Sequence, residues 1–288
     1  MDVLISAEQL KQQWAAPDAA QRWVVLDCGF DLFDSQAGER AYGQGHLPNA
    51  HYLHLERDLS GPKQPPGPNS GGRHPLPAAE AWAQIVGELG IGPETSVVVY
   101  DEQGGPYAAR AWWMLRWIGH DRVVVLDGGK QAWVASGGEL SQQAAQRHSG
   151  AAAYQVRAQA ASMPTIDAHT LLQNLGRVAL FDARAGERFR GETEPLDSRA
   201  GHIPGAINRF FKDNLQADGR FKPADQLRQE WSRWLEDATQ SVHQCGSGVT
   251  ACHNLLALAH AGLGVGRLYP GSWSEWSADP DRPCATGA

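Results

Sequence analysis

Gly45-His-Leu-Pro-Asn-Ala50 returns in the second half of the chain as Gly201-His-Ile-Pro-Gly-Ala206, and three further segments recur in the same order. Trp23-Val-Val-Leu-Asp27 matches Val178-Ala-Leu-Phe-Asp182, each a short apolar run that ends in aspartate. Ser96-Val-Val-Val-Tyr-Asp101 matches Ser241-Val-His-Gln-Cys245, and Leu126-Asp-Gly-Gly-Lys-Gln-Ala-Trp133 matches Tyr269-Pro-Gly-Ser-Trp-Ser-Glu-Trp276. One domain is therefore used twice. The β-branched runs Val97-Val-Val99 and Val123-Val-Val125 carry the signal of buried strands, and a helical stretch from Ala108 to Ile118 lies between them. Alternating strands and helices predict an α/β fold in which each copy is a parallel sheet flanked by helices. The copies are expected at 1–140 and 163–288. Between them, 141–162 is rich in Ala, Gln and Ser, has no apolar face and reads as a linker. Ser60-Gly-Pro-Lys-Gln-Pro-Pro-Gly-Pro-Asn-Ser-Gly-Gly72 holds too much Pro and Gly for a helix or central strand and is expected to be a long loop of the first domain.

Composition agrees with two ordinary globular domains. The 288 residues are 42% hydrophobic and 20% charged, which excludes disorder and gives each half enough apolar material for its own core. A net charge of -7, with no block of Lys or Arg, argues against nucleic acid and anionic membrane as partners. The first residues, Met1-Asp-Val-Leu-Ile-Ser-Ala-Glu, lack the basic flank of an export signal and no run reaches membrane-spanning length, so a cytoplasmic location is expected. Cys28, Cys245, Cys252 and Cys284 form no CxxC pair and no dense framework, so any special cysteine is expected to be special through its reactivity.

Cys245 is the candidate. It follows a short strand and precedes the helical stretch from Ala251 to Ala261, so Gly246-Ser-Gly-Val-Thr250 must turn tightly at a helix amino terminus. Successive backbone N–H groups on such a turn form an anion cradle, the helix dipole adds partial positive charge, and a cysteine placed there favours its thiolate. The same cradle suits a persulfide. The competing reading is a small buried hydrophobe, but the loop supplies Gly, Ser and Thr where a core cysteine would have apolar neighbours.

Cys245-Gly-Ser-Gly-Val-Thr-Ala, with Gly-His-Ile-Pro-Gly-Ala before it and Trp-Ser-Glu-Trp after it, resembles the tandem rhodanese family over nearly the whole chain, and its loop resembles the 3-mercaptopyruvate sulfurtransferase branch. The resemblance implies two tandem rhodanese-like domains, of which the second is catalytic and the first inactive, with Asp101 at the cysteine position. It also implies a ping-pong sulfurtransferase. Cys245 would take sulfur from 3-mercaptopyruvate or thiosulfate and pass it to cyanide or to a thiol such as thioredoxin or glutathione, without metal or organic cofactor.

From the same resemblance, Arg188 in Asp182-Ala-Arg-Ala-Gly-Glu-Arg-Phe-Arg190 is expected to grip the anionic donor through two parallel hydrogen bonds, with Arg184 and Arg190 as secondary candidates. Gly246, Gly248, Val249 and Thr250 would line the donor site. Ser247 is expected in a relay with His46 and Asp34, supplying general acid assistance, although His202 repeats the His46 position and points to a turn-fixing role. Arg73 and His74, at the end of the Pro/Gly loop, are further candidates. Leu196 stands after Glu194-Pro195, where the mercaptopyruvate branch has a second arginine; Arg199 or Arg209 would have to replace it. Trp273 and Trp276 are expected to wall the pocket or pack an interface, and Cys252 to be structural.

Other classes fit less well. A cysteine phosphatase needs an arginine at the end of its loop, and none occurs from Cys245 to Asn254. A zinc site from Cys245, Cys252 and His253 has unusual spacing and no evident fourth ligand. Gly262-Leu-Gly-Val-Gly266 follows a helix and leads into a strand, the reverse of a nucleotide loop. The remaining rival is a non-catalytic sulfur-binding or thiol-sensing module.

Overall fold

The computed structural model describes residues 2–15, 22–157, 163–235 and 237–288. The chain divides into two compact units. In the first, five strands form one sheet: β1 (Leu4–Ile5), β2 (Trp23–Asp27), β3 (Ala50–Tyr52), β4 (Ser96–Tyr100) and β5 (Val123–Leu126), in the order β1-β5-β4-β2-β3. All four pairings are parallel. Val97, Val98 and Val99 are fully buried, as expected of a strand covered on both faces. The helix Pro106–Trp117 starts at the predicted stretch but two residues earlier, with Pro106 in its first turn after Gly105 at φ +100°. Pro106 to Leu115 are all buried, so this helix is a core element with no solvent face.

The second unit repeats the plan with β6 (Ala179–Asp182), β7 (Ile207–Asn208), β8 (Ser241–Gln244) and β9 (Arg267–Leu268), again wholly parallel, in the order β7-β6-β8-β9. The counterpart of β1 is reduced to a single parallel bridge, Thr165 to Leu268. Asp27 is in register with Tyr100 and Asp182 with Gln244, so the residues that follow, Asp101 and Cys245, occupy equivalent places at the carboxyl ends of β4 and β8. Crevices at the carboxyl ends of parallel strands are where this architecture binds ligands. The core is built on Ile166, Leu180, Ile203, Val242, Tyr269, Trp273 and Trp276.

Two segments depart from a simple split of the sequence. Ser60–Leu76, the Pro/Gly loop expected in the first domain, belongs to the second unit, and Ala217–Phe221 belongs to the first. The loop is held by side chains and carbonyls of the second unit: Glu275 Oε1 accepts from the Gly71 amide at 2.9 Å, Ser274 Oγ accepts from the Arg73 amide at 2.9 Å, and Arg282 donates to the Pro68 carbonyl at 2.5 Å. Residues 141–157 contain no helix and lie along the first unit, with backbone bonds from His148 to Glu88 and from Tyr154 to Ala83. The rest of the expected linker, 158–162, falls outside the described residues. No helix among the described residues is long and apolar enough to cross a membrane.

Candidate active site

β8 delivers Cys245 into a tight turn before the helix Thr250–His260. Gly248, at φ +77°, makes the turn possible; a side chain there would place Cβ 2.4 Å from the Pro270 carbonyl oxygen. No side chain among the described residues caps the start of the helix, so its amino-terminal dipole faces the loop without a resident carboxylate from them. The segment Tyr269-Pro-Gly-Ser-Trp-Ser-Glu-Trp276 supports the turn from behind. Ser272 Oγ accepts from the Cys245 amide at 3.1 Å and donates to the Tyr269 carbonyl at 2.9 Å, while the Trp273 and Ser274 amides donate to the Cys245 and Gly246 carbonyls, each at 2.9 Å. Ser272 sits at φ +53°, a conformation that costs a non-glycine residue about 1–2 kcal/mol. Its counterpart in the first copy is Gly129 at φ +57°, so the hydroxyl that holds Cys245 is bought with backbone strain.

The first copy displays what such a loop binds. Asp101 Oδ1 accepts from the Gln103 and Gly105 amides at 2.9 and 2.8 Å, and Oδ2 accepts from the Tyr107 and Ala108 amides at 2.9 and 3.0 Å. Burial raises the affinity of Asp101 for a proton while these four N–H groups oppose it. By register, the equivalent amides around Cys245 are those of Ser247, Val249 and Ala251, while the fourth, that of Cys252, donates to the Val249 carbonyl at 3.0 Å. The loop geometry is thus an anion cradle: filled internally by a carboxylate in one copy and headed by a thiol in the other.

Two guanidiniums converge on the cysteine loop. A Cβ on Gly246 would lie 2.9 Å from Arg73 Nη2 and 3.5 Å from Arg188 Nη1. Arg188 pairs with Glu194 at 2.6 Å and Asp197 at 3.3 Å, yet its buried Nε has no hydrogen-bond partner among the described residues. Arg73 pairs with Asp197. His74 Nδ1 lies 2.8 Å from Ser247 Oγ. A cleft of about 360 Å³ shares Arg73, Asp197 and Ser274 with this assembly and is also lined by Lys63 and Leu196.

Several expected residues do other work. Both ring nitrogens of His46 face backbone carbonyls, Tyr42 at 2.8 Å and Gln143 at 3.1 Å, and its ring stacks on Tyr42. His202 repeats this on Phe189, with Nδ1 2.8 Å from the Phe189 carbonyl. Both histidines fix turns, and the imidazole that meets Ser247 is His74. Asp34 is exposed and paired with Arg40, so the expected relay of Ser247 with His46 and Asp34 is corrected on both partners. Arg184 is fully buried with its guanidinium bonded to Asp182, Glu194 and the Gly201 carbonyl, over the Trp273 ring; Arg190 is exposed against Glu192. Neither is poised over the loop.

Arg199 donates to the carbonyls of Ser277, Asp279 and Arg282, and Arg209 pairs with Glu230 beneath Trp231, so neither supplies the second cation missing at Leu196. The second guanidinium beside Gly246 is that of Arg73, from the Pro/Gly loop. Trp273 and Trp276 are core residues that hold the Tyr269–Trp276 support in place. Cys252 is buried in the helix, its Sγ 3.4 Å from the Gly248 carbonyl. Val249 is buried and Thr250 half-buried at the helix start. Among the described residues no group of three or more His, Cys, Asp or Glu side chains converges as a metal site.

Sequence reasoning missed Glu194 and Asp197, the acids that hold the arginines, and the role of Ser272 and Ser274. A usable signal existed for His74. His46 recurs in the second copy, whereas the Arg73-His74 pair has no counterpart there.

The Rhodanese family, described as the rhodanese-like domain, matches residues 6–136 and 167–279. A probable 3-mercaptopyruvate sulfurtransferase of Pseudomonas aeruginosa is 47% identical over 99% of this chain and 98% of its own length. A putative thiosulfate sulfurtransferase, SseB, of Mycobacterium tuberculosis is 39% identical over 99% of this chain and 97% of its own. Among solved structures, the 3-mercaptopyruvate sulfurtransferase SseA from Escherichia coli superposes with a TM-score of 0.77 at 28% identity, covering 95% of this chain and all of that one. Duplicated sheets, a cysteine-headed loop in one copy only and full-length likeness to these enzymes converge: the chain belongs to the rhodanese family and is a sulfurtransferase.

Proposed function

We propose that Cys245 is the sulfur carrier and that small anionic donors, 3-mercaptopyruvate and thiosulfate, load it. The observation that carries this reading is the pair of guanidiniums, Arg73 and Arg188, beside the backbone of Gly246. Donor anions are drawn there by charge and gripped by planar N–H groups, among them the Arg188 Nε–H, which has no partner among the described residues. Gly246, Gly248, Val249 and Thr250 frame the turn.

With thiosulfate, the Cys245 thiolate attacks the outer sulfur, the S–S bond breaks, and its electron pair leaves with sulfite. With 3-mercaptopyruvate the C–S bond breaks, its electron pair leaves as the enolate, and the proton formerly on the donor thiol ends on carbon to give pyruvate. Ser247 relays that proton in this reading, supported by the 2.8 Å approach of His74 Nδ1 to its hydroxyl. In both cases the enzyme is left as Cys245–S–S⁻, an anion for which the backbone cradle is suited. In the second half-reaction a nucleophile takes the outer sulfur and Cys245 leaves as thiolate: cyanide gives thiocyanate, and a thiolate such as that of thioredoxin or glutathione gives a persulfide. A cytoplasmic setting fits four cysteines that are all free thiols.

The test is thiocyanate release from each donor in the presence of cyanide, together with mass analysis of the Cys245 peptide after donor treatment. One added sulfur on that peptide and loss of turnover in Cys245→Ser are expected. Turnover that persists in Cys245→Ser overturns the assignment. A protein that loads sulfur on Cys245 yet never releases it to cyanide or thiols is a sulfur-binding module instead.

A further inference from the structure

Asp197 stands where an incoming donor would meet the arginines. Its carboxylate pairs with Arg73 through Oδ1 and with Arg188 through Oδ2. The side chain is only 3% exposed, and the Asp197 amide is itself held by Glu194 Oε1 at 3.2 Å, so the charge is fixed in place by its own backbone. Along the row of charges, Arg73, Arg184 and Arg188 face Asp182, Glu194 and Asp197. The row is electrically balanced before any donor arrives. Burial raises the affinity of Asp197 for a proton even though Arg73 opposes it, so the site already resists the negative charge it holds.

We propose that Asp197 is a specificity-determining residue: a fixed anion between Arg73 and Arg188 that penalises donors in proportion to their charge and so favours a monoanionic 2-oxo acid thiol over the thiosulfate dianion. The proposal rests on the reading of Cys245 as the sulfur carrier and adds to it a reason for donor choice. Balanced pairing leaves enough hydrogen-bonding capacity to orient one carboxylate, while the row itself holds no surplus positive charge to offset a second negative one; Lys63, also in the cleft wall, is common to both donors and to every variant. Leu196, beside Asp197 in the cleft wall, adds no cation. A fixed unit charge several ångströms from a partly solvated ligand changes binding by roughly three-fold for each ligand charge, and so by about ten-fold for a dianion.

The experiment compares both donors on wild-type protein, Asp197→Asn and Asp197→Ser in the cyanide assay. In the variants the KM for thiosulfate should fall about ten-fold and that for 3-mercaptopyruvate about three-fold. Equal changes for the two donors, or a rise in thiosulfate KM in both variants, would mean that Asp197 only positions Arg73 and Arg188, and would overturn the proposal. Mass analysis of the Cys245 peptide in the same samples tests the underlying reading separately. An unaltered donor ratio on an enzyme that still loads sulfur at Cys245 removes Asp197 alone.

Discussion

Replacing Gly248 by alanine probes how tightly the cysteine loop is fitted. The new methyl carbon would start 2.4 Å from the Pro270 carbonyl oxygen and must retreat by about 0.6 Å to reach even 3.0 Å, the lower limit of real Cβ contacts. The backbone also stays at φ +77°, which costs a side-chain-bearing residue about 1–2 kcal/mol. Retreat in either direction disturbs the site, because Pro270 leads directly into Ser272, Trp273 and Ser274, whose hydroxyl and amides hold Cys245 and Gly246. Strain plus steric displacement should lower stability by about 2–3 kcal/mol, and a misplacement approaching 1 Å at the nucleophile should lower kcat/KM about 100-fold. Urea titration and the cyanide assay read the two effects. Gly205→Ala is the control: it has φ +79° with open space at Cβ, so it should lose about 1 kcal/mol and no activity. A Gly248→Ala enzyme with wild-type kcat and a denaturation midpoint equal to that of Gly205→Ala would refute the tight fit.

Ser247→Ala should lower kcat with 3-mercaptopyruvate by about 10–100-fold while leaving thiosulfate turnover nearly unchanged, because sulfite leaves without needing a proton on carbon. Equal losses with both donors would show that Ser247 shapes the loop and relays nothing. In the first unit, burial pushes the Asp27 carboxyl up to about 6 from its usual 3.8, against hydrogen bonds from Tyr100 and the Gly29 amide. The folded form then holds that proton more tightly than the unfolded chain. Its contribution is fully present below about pH 4 and is lost as pH rises through 6, leaving a cost of roughly 3 kcal/mol at neutral pH. Relative to Asp27→Asn, the wild-type denaturation midpoint should rise as pH is lowered from 7 to 4; parallel profiles would contradict it.

The duplication made most of the fold legible. Valine runs, the paired Gly-His-hydrophobic-Pro turns and the paired tryptophan segments locate strands and turns because parallel strands buried on both faces admit little else. The first strand of the second sheet was not legible, since one bridge at Thr165 leaves no pattern. In the site, Cys245 could be singled out because local chain geometry marks it, at a strand end before a turn and a helix start, whereas Ser247 and Arg188 were named through the family resemblance. The long-range partners could not. Nothing near Arg73 in the sequence announces that Asp197 will pair with it, and the Pro/Gly loop gives no local sign of the unit it joins. His46 attracted attention through its motif, but the motif serves a backbone need that both copies share.

Asp101 gives the duplicated architecture an asymmetry of a thermodynamic kind. The first copy carries its anion covalently at an effective concentration no solute can match, so its loop is always in the occupied state and draws no stability from ligands. On the proposed reading of Cys245, the second copy is completed when sulfur is on the enzyme, and its local stability should track the catalytic cycle. One chain would then hold the same loop as a permanently occupied reference and as a version whose amide-exchange protection should report whether the enzyme is charged.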